Sequence, residues 1–332
     1  MTQTTHSRRP QHIAAAWRSS DIASTNEWLI LLDDAERDEI ISAARSAAGE
    51  GLTTATLTQS TFEIPVISRR LREWSEMLRS GLGFVLLRGF PIEQLDDAER
   101  ELAYVGLGLH LGTPVGQNAA GDILTHIRDE RLEESGPEVR LYRTNKRQDF
   151  HTDGADIIGL LCLHGARSGG ESRIASSPAV YNEILRRRPD LLEVLYQPFA
   201  WDRNGEESAG EPPFFSLPPF HDVNGIPRIF YIGWYIRDAQ RHADAPRLTD
   251  AQSDAMQLIE SIANDPVFHV EMDFEPGDVQ LLNNARILHA REAFTDHSAL
   301  EQRRHLLRLW LRAPEFAGLE PMLRAGIPQQ KR

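Results

Sequence analysis

A mainly β architecture with flanking helices is what the sequence predicts, and three observations carry it. From about residue 140 onward, apolar runs of strand length follow one another at 139–143, 157–163, 171–176, 229–236, 268–274, 278–282 and 305–312. They do not alternate with helices as the strands of a doubly wound sheet do. The nearest glycine pair, Gly169-Gly170, lacks the spacing and the following lysine of a nucleotide-binding loop. So many short strands predict a barrel or jelly roll.

The first part of the chain reads as helical. Asp33 or Asp34 can cap a helix over 33–49, and Gly49 can end it. A second helix is expected over 65–80. Pro65 suits its first turn, Leu71, Trp74, Met77 and Leu78 fall at three- and four-residue spacing, and Gly81 stops it. Residues 83–88 read as a short buried strand, and 96–110 look helical again. Within the β half, a helical pair over 178–197 breaks around Arg188-Pro189, and another helix spans 249–263. Residues 200–227, rich in Pro, Gly and Phe, read as an irregular stretch. Such a stretch inside a compact domain marks a lid or binding loop. The expected organisation is a disordered or loosely packed tail over 1–20, then a single domain over 21–332 with its β core at about 80–313 and a substrate-lid insertion at about 200–247.

Of 332 residues, 41% are hydrophobic and 26% charged, which excludes a disordered, collagenous or coiled-coil protein. The formal charge of −13 opposes binding to phosphate backbones, so no nucleic-acid partner is expected. No 18-residue apolar run is present, so no membrane span is expected. The polar N-terminus has no signal-peptide core. The single cysteine, Cys162, lies in an apolar run and reads as a small core residue. One cysteine without a disulfide fits a reducing cytoplasm. A homo-oligomer is allowed by this composition.

Chemistry enters through paired ligands. Two residues at i and i+2 on a strand face the same way. A His-x-Asp/Glu pair with a distant His makes the facial triad of non-haem iron oxygenases. The chain holds three such pairs, at His151/Asp153, His242/Asp244 and His269/Glu271. The second lies in a polar loop, and the third reads as the exposed face of a strand. The first ends a polar run, Phe150-His151-Thr152-Asp153-Gly154, before an apolar strand. Further on, His289 follows an apolar run, and Arg304 and Arg308 share one face of the last strand. A guanidinium turned inward demands an anion. At least one of Asn283 and Asn284 reads as a turn residue.

Four segments in register, 150–154, 169–172, 277–289 and 303–308, resemble the taurine dioxygenase / clavaminate synthase-like (TauD/TfdA) family of Fe(II)- and 2-oxoglutarate-dependent oxygenases. That resemblance implies a double-stranded β-helix (jelly-roll) core. It implies Fe(II) ligation by His151, Asp153 and His289, and 2-oxoglutarate and O2 as cosubstrates. By it, Arg308 would clasp the distal carboxylate of 2-oxoglutarate, Arg304 would lie near its other end, and Ser172, standing where the family commonly has Thr, would offer a hydroxyl. It also implies hydroxylation of an unactivated C–H bond with release of succinate and CO2. Desaturation, ring closure or oxidative cleavage at the same centre are the alternatives, and a non-catalytic jelly-roll binding protein is a further one. Asp153 argues against halogenation, which needs a vacant ligand position. The substrate is expected to be a small carboxylate-bearing metabolite. Arg143, Lys146, Arg147 and Arg237 are candidates for its anionic group, and Trp201, Phe214, Phe215, Phe220 and Trp234 for its walls.

Overall fold

The computed structural model describes residues 8–118, 120–131, 140–207, 209–223 and 225–316. Its frame is a pair of sheets. The larger one runs Leu29–Leu31, Phe84–Arg88, Val279–Asn283, Ile157–His164, His305–Arg312 and Thr113–Pro114, with Leu124–Ile127 also paired to His305–Arg312. All its pairings are antiparallel except that of Leu29–Leu31 with Phe84–Arg88. The smaller sheet runs His269–Met272, Ser172–Ser176, Ile287–Arg291 and Gln148–His151, antiparallel throughout. Phe84, Ile158, Leu282 and Trp310 of the larger sheet pack with Ile174, Met272 and Ile287 of the smaller one, which closes the jelly roll. The chain crosses between the sheets at each turn of the barrel, so residues far apart in sequence meet inside it.

Helices cover the outer faces. Asp34–Gly49 and Asp97–Leu109 start with capping boxes, Asp33 with Glu36 and Asp96 with Glu99. With Ser68–Arg79 they bury Ile40, Trp74 and Tyr104 against the larger sheet. Ser177–Arg187, Pro189–Leu195 and Asp250–Asn264 enclose a second core around Tyr181, Leu192 and Ile259. Cys162 is buried in a small cluster with Ile127 and Leu306, as its sequence setting predicts.

Four expectations need correction. Residues 141–143 form a 3-10 turn rather than a strand, and residue 139 lies outside the described residues. The predicted strand over 229–236 splits into Ile226–Ile229 and the helix Gly233–Asp238. The stretch 200–227 is only in part irregular, at 203–213 among the described residues. It folds into two antiparallel hairpins, Phe199–Asp202 with Phe214–Leu217 and Phe220–Val223 with Ile226–Ile229. Its prolines sit at the ends and edges of strands, where no ladder donor is missed. Finally, the tail expected over 1–20 is docked from residue 8. Trp17 is buried and donates to the Leu82 carbonyl at 2.9 Å, and Arg8 pairs with Glu193 and Asp222. Residues 1–7 lie outside the described residues.

Candidate active site

His151 is the last residue of its strand and stands opposite His289 on the neighbouring strand, so ladder register alone brings the two imidazoles together. Their ring centroids are 4.1 Å apart. Asp153 follows in the loop, past the end of the strand, and needs its own support. Its backbone N–H donates to Asn284 Oδ1 at 2.9 Å, and Asn284 Nδ2 donates to the carbonyls of Asp153 (2.6 Å) and Ala155 (2.8 Å). Thr152 between them is tied to Tyr231, its N–H donating to the Tyr231 carbonyl at 2.8 Å. Asp153 thereby reaches 3.8 Å from His151 Nε2 and 3.6 Å from His289 Nε2. Among the described residues these three are the one set of His, Cys, Asp or Glu whose ligand atoms all lie within 4.8 Å of one another, and all three are buried.

The donor set fits a divalent transition metal. Two imidazoles and one carboxylate on one side leave the other side open. Metal ligation needs neutral imidazole and ionised carboxylate. Burial, aided by the facing His289, lowers the His151 pKa to about 3, so this ring is neutral at physiological pH. Its Nδ1 is hydrogen-bonded to the Asp149 carbonyl at 2.8 Å, which leaves Nε2 turned to the site. Burial alone would raise the Asp153 carboxyl. Arg308 and the two imidazoles outweigh it and hold the group well below the usual carboxylate range.

Arg308 lies at the metal end of the site. Its Nη1 is 3.3 Å from Asp153 Oδ2, its Nε donates to Gln117 Oε1 at 2.7 Å, and Trp310 Nε1 donates to the same Asp153 oxygen at 3.1 Å. Gln117 in turn donates to the Arg308 carbonyl at 2.8 Å. An internal pairing of Arg308 with Asp278 does not occur, because Arg88 takes Asp278 at 2.9 and 2.8 Å.

Arg304 stands four residues earlier, just before the strand His305–Arg312 begins. It lines a small cavity behind the histidines together with Ser172, Leu160, Phe274, Leu306, His151 and His289. Its Nη1 is buried with no hydrogen-bond partner, and burial lowers its pKa to about 10, which leaves it a cation at neutral pH. Ser172 donates to Gln280 Oε1 at 3.1 Å. The Gly169-Gly170 turn has a structural cause here. Both residues have positive φ, and a Cβ on Gly170 would lie 2.9 Å from Arg304 Nε.

A larger cavity of about 500 Å³ opens on the other side of the triad. Phe215, Phe230, Trp234 and Trp310 wall it, and Arg140, Arg203, Arg237 and Arg241 line it beside Asp202, Glu206 and Asp238. Most of these charges are matched: Arg241 with Asp202 at 2.8 Å, Arg237 with Glu260 at 2.6 Å, and Arg140 with Glu206. Of the cations expected around the substrate, Arg237 is there. Arg143 instead pairs with Glu130 and Arg147 with Asp149, and Lys146 does not line the cavity. Of the aromatic candidates, Phe215 and Trp234 line it, whereas Trp201 and Phe220 are core and Phe214 stacks on His242.

The two other His-x-acid pairs make no such set. His242 is bonded to Asp202 at 2.9 Å, and His269 is buried, its Nδ1 bonded to the Ala263 carbonyl at 2.9 Å, rather than exposed as expected. Gln117, Asn284 and Trp310 do not stand out in the sequence. Only the asparagines close to the run ending at His289 gave a signal, and it pointed to a turn.

Residues 49–310 match the profile of the "Taurine catabolism dioxygenase TauD, TfdA family". The chain is 34% identical over 309 residues to "FR-33289 synthase" of Streptomyces rubellomurinus (strain ATCC 31215), covering 92% of this chain and 91% of that one. It is 25% identical over 257 residues to a "Uridine-5'-phosphate dioxygenase" of Amycolatopsis sp, covering 70% and 88%. Among solved structures, an asparagine oxygenase in complex with Fe(II), 2S,3S-3-hydroxyasparagine and succinate superposes with a TM-score of 0.66 at 15% identity, over 86% of this chain and 94% of that one. That likeness confirms the jelly roll. The chain belongs to the TauD/TfdA family of iron- and 2-oxoglutarate-dependent dioxygenases.

Proposed function

We propose that this enzyme hydroxylates an unactivated C–H bond of a small metabolite bearing an anionic group, with His151, Asp153 and His289 as its iron ligands. When bound, Fe(II) and 2-oxoglutarate supply the oxidising power, the keto acid giving succinate and CO2. The protein's part is placement. In this reading the two arginines exchange the ends that the resemblance implied. Arg308, held between Asp153 and Gln117, faces the metal-bound end of the keto acid. Arg304, with an unpartnered buried Nη1 in the small cavity, takes the far carboxylate by charge-assisted hydrogen bonds. Ser172 joins it once its hydroxyl turns from Gln280.

The observation that carries the substrate reading is the unpartnered edge of Arg203 in the larger cavity. Arg203 lines it against Phe215, its Nε is buried with no hydrogen-bond partner among the described residues, and Glu211 is 4.0 Å away. A relative acting on a uridine phosphate supports an anionic ligand. The matched pairs around Arg203 leave it as the group with most to gain from one. Trp234, edge-on to His151 at 4.8 Å between centroids, and Trp310 shield the triad from water on that side.

The test is a screen of small phosphorylated, phosphonylated and carboxylated metabolites for Fe(II)- and 2-oxoglutarate-dependent succinate release, with product mass read for one added oxygen. A substrate with an anionic group, whose turnover falls in Arg203→Gln, is expected. Turnover of neutral compounds alone would refute the anionic assignment, and no binding of 2-oxoglutarate in the presence of Fe(II) would refute the enzyme reading.

A further inference from the structure

Three buried arginines, Arg291, Arg304 and Arg308, line the small cavity, and the roles proposed above leave Arg291 without one. Arg291 lies two residues beyond His289 on the same strand, so its side chain rises from the same face as the ligand imidazole. It is buried and lines the cavity with Arg304, Ser172, His151 and His289. Its guanidinium and that of Arg304 both lie against Phe294, 5.1 and 5.0 Å from the ring centroid.

The two edges of Arg291 have different surroundings. Nη2 donates to three backbone carbonyls of one segment, those of Leu141 (3.3 Å), Thr144 (3.0 Å) and Lys146. Nε and Nη1 are buried and have no hydrogen-bond partner among the described residues. Among the described residues Asp129 acts on this cation only as a nearby charge, without a hydrogen bond to it. Carbonyl dipoles thus hold one edge, and the other buried edge lacks acceptors among the described residues. A buried guanidinium in that state calls for an anion.

The segment it grips also matters. Leu141 and Tyr142 wall the larger cavity, Tyr142 borders both cavities, and Arg308 lies 5.2 Å from its ring centroid. The same segment runs directly into the strand Gln148–His151 that ends in the first iron ligand, and the Phe294 N–H donates to the Asn145 carbonyl at 3.1 Å.

We infer that Arg291 is a cosubstrate-anchoring and positioning residue. Its free edge meets the far carboxylate of 2-oxoglutarate beside Arg304, and its anchored edge passes that occupancy to the wall of the substrate cavity through residues 141–146. Binding of the keto acid then stiffens the substrate-side wall before substrate arrives. The inference rests on the reading of the small cavity as the 2-oxoglutarate site.

The test uses the full-length, Fe(II)-loaded protein without oxygen, and reads binding and amide exchange rather than turnover. Wild-type protein is titrated calorimetrically with 2-oxoglutarate, then examined for hydrogen exchange over 140–147 with and without saturating ligand. Expected are slower exchange over that segment with 2-oxoglutarate and no such slowing with 2-oxobutyrate, which lacks the far carboxylate. Arg291→Gln should weaken 2-oxoglutarate binding at least tenfold and abolish the slowing even at saturation. Arg291→Lys, which keeps the charge, should recover part of the affinity. Equal slowing by the two keto acids in the wild type, or none by either, overturns the coupling whether or not the variants fold. Unchanged affinity in Arg291→Gln overturns the anchoring role while leaving the site reading intact. Failure of wild-type protein to bind 2-oxoglutarate overturns both.

Discussion

Asn284 offers the sharpest test of how the site is built, because it touches no reacting group and yet fixes one. Replacing it with alanine removes three hydrogen bonds in a position with no solvent exposure: one accepted from the Asp153 N–H and two donated to the Asp153 and Ala155 carbonyls. At about 1 kcal/mol net for each, the cost is about 3 kcal/mol, rising where the abandoned carbonyls find no water. Unfolding entropy near 2.1 cal/mol/K per residue over the 332 residues is about 0.7 kcal/mol/K, so the melting temperature should fall by about 4 °C. Stability is only half of the expectation. The strand ends at His151, so the Asp153 carboxylate is aimed by Asn284, Arg308 and Trp310. Losing a support of this kind typically weakens metal affinity tenfold to a hundredfold, or about 1.4 to 2.7 kcal/mol. Calorimetric melting of metal-free protein and anaerobic Fe(II) titration measure the two effects separately. A lower melting temperature with wild-type iron affinity would show that Asn284 merely holds the turn together, and the positioning argument would be wrong.

The other ligand-site substitutions should separate in the same two measurements. His151→Ala should abolish iron binding and turnover with little change in melting temperature, whereas Asp153→Ala should also cost roughly 3 kcal/mol or more, because Arg308 becomes a buried cation without its carboxylate; equal melting temperatures for the two would contradict that pairing. Arg304→Ala should raise the 2-oxoglutarate concentration needed for half-maximal turnover by tens- to thousands-fold, from the roughly 2–5 kcal/mol lost when one side of a buried charged pair is cut; a larger effect from Arg308→Ala on 2-oxoglutarate than from Arg304→Ala would restore the original assignment of ends. His305, outside the site, should set part of the acid sensitivity. Burial, with the neighbouring His126, Arg128 and His164 adding to it and Asp97 opposing, lowers its pKa to about 4, and it shares a 2.8 Å hydrogen bond with His126, which itself faces Glu101. The unfolded chain therefore binds the extra proton first, so stability is complete above about pH 6.5 and is lost as pH falls toward 4. Melting temperatures of metal-free protein should decline over that window, and less steeply in His305→Asn; parallel slopes would remove His305 from the account.

How much of this was legible in the sequence follows from the range of each interaction. Helix starts were readable because a capping box is local: Asp33 and Glu36 satisfy each other across three residues, whatever the rest of the chain does. The proposed iron ligands were readable only as a pattern, since nothing near His289 says that it will pair with His151; ladder register between two strands does that. The hairpins over 199–229 were missed because proline and glycine enrichment signals a turn and a loop equally, and cross-strand pairing decides between them. The ends of the 2-oxoglutarate site were hardest. Arg304 and Arg308 stand four residues apart, and alternation alone cannot say which is nearer the metal. In the reading proposed here the order is set by Asp153, which lies off the strand and is placed by Asn284, 131 residues away. The side chain that decides the polarity of the site is therefore one whose local sequence reads only as a turn, and Asn284 is where substitution should disturb iron binding and keto-acid orientation together.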